Sequence, residues 1–374
     1  MKVVHVVESL DIGGLEKVVI ALAAWQRTRG HASRIVCLFH EGALAAEARA
    51  AGLCVQAVNK RPGFDLGALR SLRRDLAKDG ADVVHTHNPV AHYYAAAGIA
   101  RLGPKHLVNT RHGMGASRDS RRLRLLYRVA LLQTGKVVAV CHAARESFVS
   151  TGTVPMAMAT VIPNGVAIER IAPRSASMRS HLLCQLGRPE SSVLLGTVGR
   201  LSAVKDHATL LQAVAQLRAG GQVADLLVIG DGALRGALEA QARSLQLDAC
   251  VHFMGMRDDV GQLLAGLDVF VLSSLSEGYS LALVEAATAA LPIVATQVGG
   301  NADIVQHGVT GLLVPASNPA ALAAAIARLS DEPATRARMG QAGREWALRH
   351  GSIEAMGLAY QDLYDALTAP KARL

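Results

Sequence analysis

Short apolar runs recur along this chain, and each is followed by a turn and a segment of helical length. In the first half the runs are Val3 to Val7, Arg34 to Phe39, Cys54 to Val58, Asp82 to His85, Lys105 to Thr110, Val137 to Cys141 and Val161 to Gly165. In the second half they are Val193 to Val198, Asp225 to Ile229, Val251 to Phe253, Val269 to Leu272, Ile293 to Ala295 and Gly311 to Val314. Most of these runs are apolar almost throughout rather than at every second residue, so both faces of each strand must be covered. Helices between consecutive strands supply that cover, and the strands are then parallel. Helical segments include Gly14 to Arg29, Leu66 to Asp79, Pro89 to Arg101, His207 to Arg218 and Leu234 to Leu245. The pattern predicts an α/β protein with two doubly wound parallel sheets.

A chain of 374 residues is too long for one ordinary core. The pattern predicts an N-terminal Rossmann-like domain at 1–170 and a second one at 192–350. Between them, 171–191 reads as an interdomain connection, because Pro173, Ser175, Ser177 and Pro189 interrupt any strand pattern there. A last helix occupies 351–374, after the break at Gly351.

Charge is unevenly spread. Residues 1–170 carry 23 Lys+Arg against 12 Asp+Glu, and the remainder 16 against 18, so the first half is built to meet something anionic. The densest cluster is Arg118, Arg121, Arg122, Arg124 and Arg128, with Leu123, Leu125, Leu126 and Val129 among them. Such a segment reads equally as a solvated helix face or as a surface for an anionic acceptor or membrane. The low aromatic content and the lack of a recognition motif argue against nucleic acid. No apolar run reaches the ~18 residues of a membrane span. The start, Lys2 to Val7, is too short for the apolar part of a signal peptide. The five cysteines form no CxxC pair and read as reduced thiols of a cytosolic protein. The expected location is the cytoplasm, with contact at the inner face of the plasma membrane left open.

One corner carries the most chemistry. Glu277 and Glu285 lie eight residues apart in Ser276-Glu277-Gly278-Tyr279-Ser280-Leu281-Ala282-Leu283-Val284-Glu285. The first follows the strand Val269 to Leu272, and the second lies in the next helix, with Ser280 placed to cap it. Such a corner aims free N–H groups and the positive end of a helix at one spot, a seat for phosphate, while carboxylates beside it accept sugar hydroxyls. Upstream, Gly199, Arg200 and Lys205 end the strand Val193 to Val198, so two cations stand ready to neutralise a diphosphate. Their bland alternative is a surface ion pair between Lys205 and Asp206. In the first half, Gly13-Gly14 follows the first strand, and His112 follows the strand Lys105 to Thr110. His85 and His87 end the preceding strand. With His112 they suggest a metal site, yet no carboxylate or cysteine completes one locally. The preferred reading is a buried, hydrogen-bonded His85 and a cleft-facing His87.

The corner, its sequel Leu291-Pro292-Ile293-Val294-Ala295-Thr296 and the later Gly308-Val309-Thr310-Gly311 resemble the E-x7-E region of retaining glycosyltransferases of family 4. Arg200 and Lys205 resemble that family's G-R-x4-K element, and Gly13-Gly14-Leu15-Glu16 its G-G-x-E loop. The general look is similar to sugar transferases of bacterial exopolysaccharide and cell-surface assembly. The resemblance implies a GT-B fold, two Rossmann-like domains facing a cleft. It implies transfer of a sugar from a nucleotide-diphosphate sugar to a polysaccharide, lipopolysaccharide or lipid-linked saccharide acceptor, with retention. It assigns His112, Arg200, Lys205 and Glu277 to catalysis. Gly13, Gly14, Gly199, Gly255, Met256, Gly278, Tyr279, Ser280, Leu281 and Glu285 are assigned to the donor, with Gly255 and Met256 beside the base. It implies no cofactor and no metal, and no Asp-x-Asp motif is present.

Two residues depart from the pattern. Ala290 stands where a glycine is common, expected to affect only packing, and Asp303 where a glutamate often follows the pair Gly299-Gly300. A GT-B nucleotide-sugar epimerase and a non-catalytic nucleotide-sugar sensor are the alternatives. A dinucleotide enzyme lacks its glycine fingerprint.

Overall fold

The computed structural model describes residues 1–100, 102, 106–114 and 121–369, with the backbone alone for 79 and 121–124. Arg118 therefore lies outside the described residues, as do the side chains of Arg121, Arg122 and Arg124. The chain forms two compact units, Met1–Gly165 with Ile353–Leu374, and Val166–Ser352.

The first unit runs β1 (Lys2–Val7), α1 (Gly14–Thr28), β2 (Ala32–Cys37), α2 (Ala45–Ala50), β3 (Cys54–Ala57), α3 (Leu66–Asp79), β4 (Val83–Thr86), α4 (Pro89–Ile99), β5 (His106–Arg111), α5 (Arg121–Leu131), β6 (Thr134–Ala139), α6 (His142–Ser150) and β7 (Ala159–Val161). Its sheet has the order β3-β2-β1-β4-β5-β6-β7, with parallel pairings. Alternate strand residues feed two cores. Val4, Val6, Val36 and Val84 pack with α3 and α4 on one face, and Val7, Ile35 and Val55 with α1 and α2 on the other. The C-terminal helix (Ile353–Thr368) lies on α1. Gly357 permits this approach, since a Cβ there would sit 2.4 Å from the Trp25 ring. The Trp25 indole N–H donates to Glu354 at 2.6 Å, and Arg29 pairs with the same carboxylate. The sixth strand begins earlier than the sequence predicts and stops at Ala139. Cys141 instead caps α6, its sulfur accepting from the Ala144 N–H at 3.3 Å.

The second unit runs α7 (Ala176–Gln185), β8 (Val193–Val198), α8 (His207–Ala219), β9 (Ala224–Ile229), α9 (Arg235–Ser244), β10 (Val251–Gly255), α10 (Val260–Ala265), β11 (Val269–Leu272), α11 (Leu281–Thr288), β12 (Ile293–Thr296), α12 (Asn301–Ile304), β13 (Gly311–Val314), α13 (Pro319–Asp331) and α14 (Pro333–His350). Its order is β10-β9-β8-β11-β12-β13, again parallel.

The stretch 171–191, read from sequence as a connection, is an integral part of this unit. It folds into α7, and its arginines anchor it to buried carboxylates. Arg174 and Arg179 both bind Asp268, which is 1% exposed and also accepts from the Leu194 N–H at 2.9 Å. Arg188 binds the buried Asp225 at 2.6 Å. Local pattern hides this because the partners lie far along the chain. Ala290 also differs from its expectation. It sits at φ 59°, in the left-handed region where a glycine is unstrained, so the departure touches the backbone as well as packing.

Candidate active site

In wound sheets, ligands bind beyond the carboxyl ends of the strands, where the strand order reverses. In the second unit that point lies between β8 and β11. Lys205 follows β8 through the tight turn Ala203–Lys205, and its ammonium donates to Glu277 Oε1 at 2.6 Å. The partner is thus the first carboxylate of the E-x7-E pair and not Asp206. Asp206 caps α8, accepting from the Thr209 N–H at 3.3 Å and its hydroxyl at 2.7 Å. Ser274 donates to the same Glu277 oxygen at 2.6 Å, and Ser273 donates to the Lys205 carbonyl at 2.9 Å. The backbone joins too: the Leu275 N–H donates to the Val204 carbonyl at 2.8 Å. Two sequence segments about seventy residues apart therefore form one rigid corner. The Lys205 and Glu277 side chains are 22% and 10% exposed, enough burial to strengthen their pairing without sealing them from a ligand. Arg200 is exposed and Glu285 half-buried.

Ser280 occupies the N-cap position of α11, but its side chain makes no capping hydrogen bond, contrary to the sequence reading. Its carbonyl instead accepts from the Leu283 and Val284 N–H groups, as the helix itself requires. Tyr279 is buried, and Gly278 and Leu281 are half-buried.

Close backbone approach shapes the neighbouring strand ends. Gly230, which the sequence analysis missed, has φ 131°, and a Cβ there would lie 2.0 Å from the Gly199 carbonyl oxygen. Its N–H donates to the Gly255 carbonyl at 2.8 Å. Gly199, Gly230 and Gly255 thus line up at the ends of β8, β9 and β10, and Met256 beyond them is exposed. The signal for Gly230 was present in Ile229-Gly230-Asp231-Gly232, a glycine pair directly after a strand. His207, which opens α8, is held neutral: burial and the nearby Lys205 charge push it down to about 4.

The first unit's reversal point lies between β1 and β4. Gly13 is the N-cap of α1, with extended backbone and no side-chain cap. Here the structure gathers imidazoles. His5 pairs in register with His85 across the two strands. His5, His85 and His87 are all buried, and His87 does not face outward as the sequence reading had it. His87 Nε2 lies 2.9 Å from His5 Nδ1, and its Nδ1 lies 3.2 Å from His112 Nε2. His5 Nε2 lies 2.9 Å from Gln26 Oε1. His85 contacts the Thr110 hydroxyl and the Tyr364 hydroxyl, each at 2.7 Å, and Tyr360 bonds Thr110 at 2.8 Å. Burial lowers all four histidines, His5 and His112 to about 4, and His85 and His87 well below the usual range. Nitrogens of His5, His85 and His87 lie within 4.8 Å of one another, close enough for one cation. Every ring nitrogen of these three already has a hydrogen-bonding partner.

α5 carries the basic segment. Arg128 on it is exposed, as are Leu125, Leu126, Val129 and the following Leu132, while Tyr127 and Ala130 are buried. No helix among the described residues is long and apolar enough to cross a membrane.

Comparison with known proteins gives the class. The family model "Glycosyl transferases group 1" matches residues 182–346, and "Glycosyltransferase Family 4" matches residues 12–170. The chain belongs to family 4 of the glycosyltransferases and has the GT-B fold of two parallel-sheet α/β domains. It is similar to the UDP-Gal:α-D-GlcNAc-diphosphoundecaprenol α-1,3-galactosyltransferase of Escherichia coli, 27% identical over 72% of this chain and 71% of that one. It is similar to the D-inositol 3-phosphate glycosyltransferase of an Arthrobacter species, 29% identical over 94% of this chain and 88% of that one. Among solved structures, Anabaena HepE in complex with UDP superposes with a TM-score of 0.87, at 24% identity over 98% of this chain and 100% of that one.

Proposed function

We propose that this glycosyltransferase takes its sugar from a nucleotide-diphosphate sugar seated on the second unit. The observation that carries the reading is the Lys205–Glu277 corner beside the start of α11, at the reversal point of a wound sheet. Arg200 and Lys205 neutralise the departing diphosphate. The N–H groups from Gly278 to Leu281, at the positive end of α11, hold its β-phosphate. Glu277 accepts hydroxyls of the sugar and Glu285 those of the ribose. Gly199, Gly255 and Met256 bring backbone to the nucleoside side; on the first unit, Gly13, Gly14 and His112 are the proposed substrate contacts. HepE binds UDP, which makes uridine nucleotides the first to try.

The reaction proceeds with retention by front-face substitution. The sugar–oxygen bond to the diphosphate breaks as the acceptor oxygen attacks from the same side, and the departing phosphate takes the acceptor's proton. Fixed cations and N–H groups aimed at that growing charge contribute about 3–4 kcal/mol per key donor. Neither a metal nor a cofactor is needed in this scheme.

The acceptor is anionic and lipid-linked. The first unit's basic charge supports this, as do the exposed leucines of α5, which suit a membrane surface. Both relatives act on phosphate-bearing acceptors by name, a diphospho-lipid saccharide and an inositol phosphate.

The test is a thermal-shift panel of UDP-, GDP-, ADP- and dTDP-sugars without added metal, on the wild type and Glu285→Ala. One base should raise the melting temperature, and the variant should lose most of the shift. No shift with any donor would count heavily against the donor site.

A further inference from the structure

Four side chains of the first unit stand in one line from the interior to His112. Gln26 Oε1 accepts from the Ser33 hydroxyl at 2.9 Å and lies 2.9 Å from His5 Nε2. Gln26 is set with its carbonyl toward His5 and its Nε2 without a partner; a carbonyl oxygen only accepts, so with this amide orientation the hydrogen belongs to His5 Nε2. Each buried ring is neutral at pH 7 and carries one hydrogen, which leaves His5 Nδ1 bare. That nitrogen accepts from His87 Nε2 at 2.9 Å, so His87 Nδ1 is bare in turn. It accepts from His112 Nε2 at 3.2 Å. The line ends at His112 Nδ1, a buried nitrogen with no partner among the described residues.

We propose that Gln26, His5 and His87 form a tautomer lock that holds His112 with its hydrogen on Nε2 and its bare Nδ1 presented to a substrate hydroxyl. They are positioning residues for His112, and the proposal rests on the substrate role given to His112 above. The groups around the line suit a neutral device. His85 is held by the Tyr364 and Thr110 hydroxyls, and Tyr360 stands behind Thr110. Burial and the other rings are what lower His85 and His87, and among the described residues no carboxylate is a hydrogen-bond partner of the four histidines. Protonating His5 or His87 would set two N–H groups against each other and break a bond of the line, so burial protects its polarity. An acceptor-only nitrogen takes a hydroxyl and repels a carboxylate. A metal ion seated on His5, His85 and His87 would take one nitrogen from each ring, and each of those nitrogens would have to give up its present hydrogen bond.

The direct test is NMR of the full chain with 15N-labelled histidine at pH 7.5, His112→Gln serving to assign the His112 ring. The expected result is a protonated Nε2 and a bare Nδ1 in the wild type. His87→Phe fills the ring's place with neither nitrogen and should leave His112 as a mixture of both neutral forms. A hydrogen on His112 Nδ1 in the wild type would overturn the proposal, and this reading needs no variant at position 87 to fold. An unchanged His112 form in His87→Phe would also overturn it. For function, UDP release from UDP-glucose is followed in His87→Phe and in His87→Gln, whose amide can both donate to His5 and accept from His112. The expected loss in kcat is about tenfold for His87→Phe, with most of it recovered in His87→Gln. Equal losses in both variants at unchanged melting temperature would refute a positioning role. His112→Ala with full turnover would instead sink the substrate role of His112 while leaving the tautomer result standing.

Discussion

The two units wind their sheets alike but equip their reversal points in opposite ways. In the second unit the point between β8 and β11 gathers charge: Lys205 on Glu277, with Arg200 nearby. In the first, the point between β1 and β4 gathers neutral imidazoles that burial keeps unprotonated. The difference follows the chemistry each proposed site would serve. A diphosphate needs cations held ready but reachable by solvent-borne ligand. A sugar hydroxyl needs oriented, uncharged partners in a dry place, where each hydrogen bond is stronger and each misdirected one costs more.

Four measurements test this contrast. The largest effect should come from the buried carboxylate that binds α7 to the second unit. Asp268→Ala leaves Arg174 and Arg179 facing an empty site and should lower stability by about 3–5 kcal/mol in denaturant unfolding. A loss under ~1 kcal/mol, the value of an ordinary surface pair, would return 171–191 to the status of a tether. Next, Lys205→Ala should cut kcat about 100- to 1000-fold, a larger effect than its cost in stability, since Glu277 keeps its bond from Ser274. A variant that retains near-normal turnover would remove charge from the account of the second site.

Acid should separate the units. Among the described residues, six histidines of the first unit have lowered values, His5 and His112 about 4 and His92 about 3, with His31, His85 and His87 lower than usual, against His207 alone in the second. The sign is fixed by linkage. Below about 6.5 the unfolded chain takes up protons that the folded rings refuse, so stability is full above that pH and falls as pH drops toward 4. Hydrogen exchange compared at pH 7 and pH 5 should show the first unit losing protection first. Equal loss in both units would mean the imidazoles are not held neutral. The smallest effect is expected at the surface. Glu354→Gln, on a pair whose members are both about half exposed, should change stability by less than about 1 kcal/mol. A larger loss would show that the Trp25 contact anchors the C-terminal helix.

Legibility from sequence divides along the same line. The elements that carry the proposed second site were readable because its parts are local. Glu277, the start of α11 and Glu285 fall within one strand–turn–helix segment, and Arg200 and Lys205 within another. The Lys205–Glu277 bond itself was not readable, since it depends on β8 and β11 being neighbours. The first site was half readable. His85, His87 and His112 were marked by their places at strand ends, but His5 passed as one more residue of an apolar strand. The trace it left was a polar ring at the centre of a run whose pairing strand also carries one. Gln26 left none, because a single polar residue on a helix usually faces water.

The sequence alone set the two wound sheets, the order of their elements and the placing of Glu277 and Glu285 around the start of one helix, because strand and helix periodicity and turn chemistry act over a few residues. Long-range packing set the rest: Ser280 leaves α11 without a side-chain cap, three arginines bind 171–191 to buried carboxylates, and Gln26, His5, His87 and His112 form one line. Those outcomes depend on which strands become neighbours and in what register, and pairing of that kind is settled by burying both faces of a whole sheet at once.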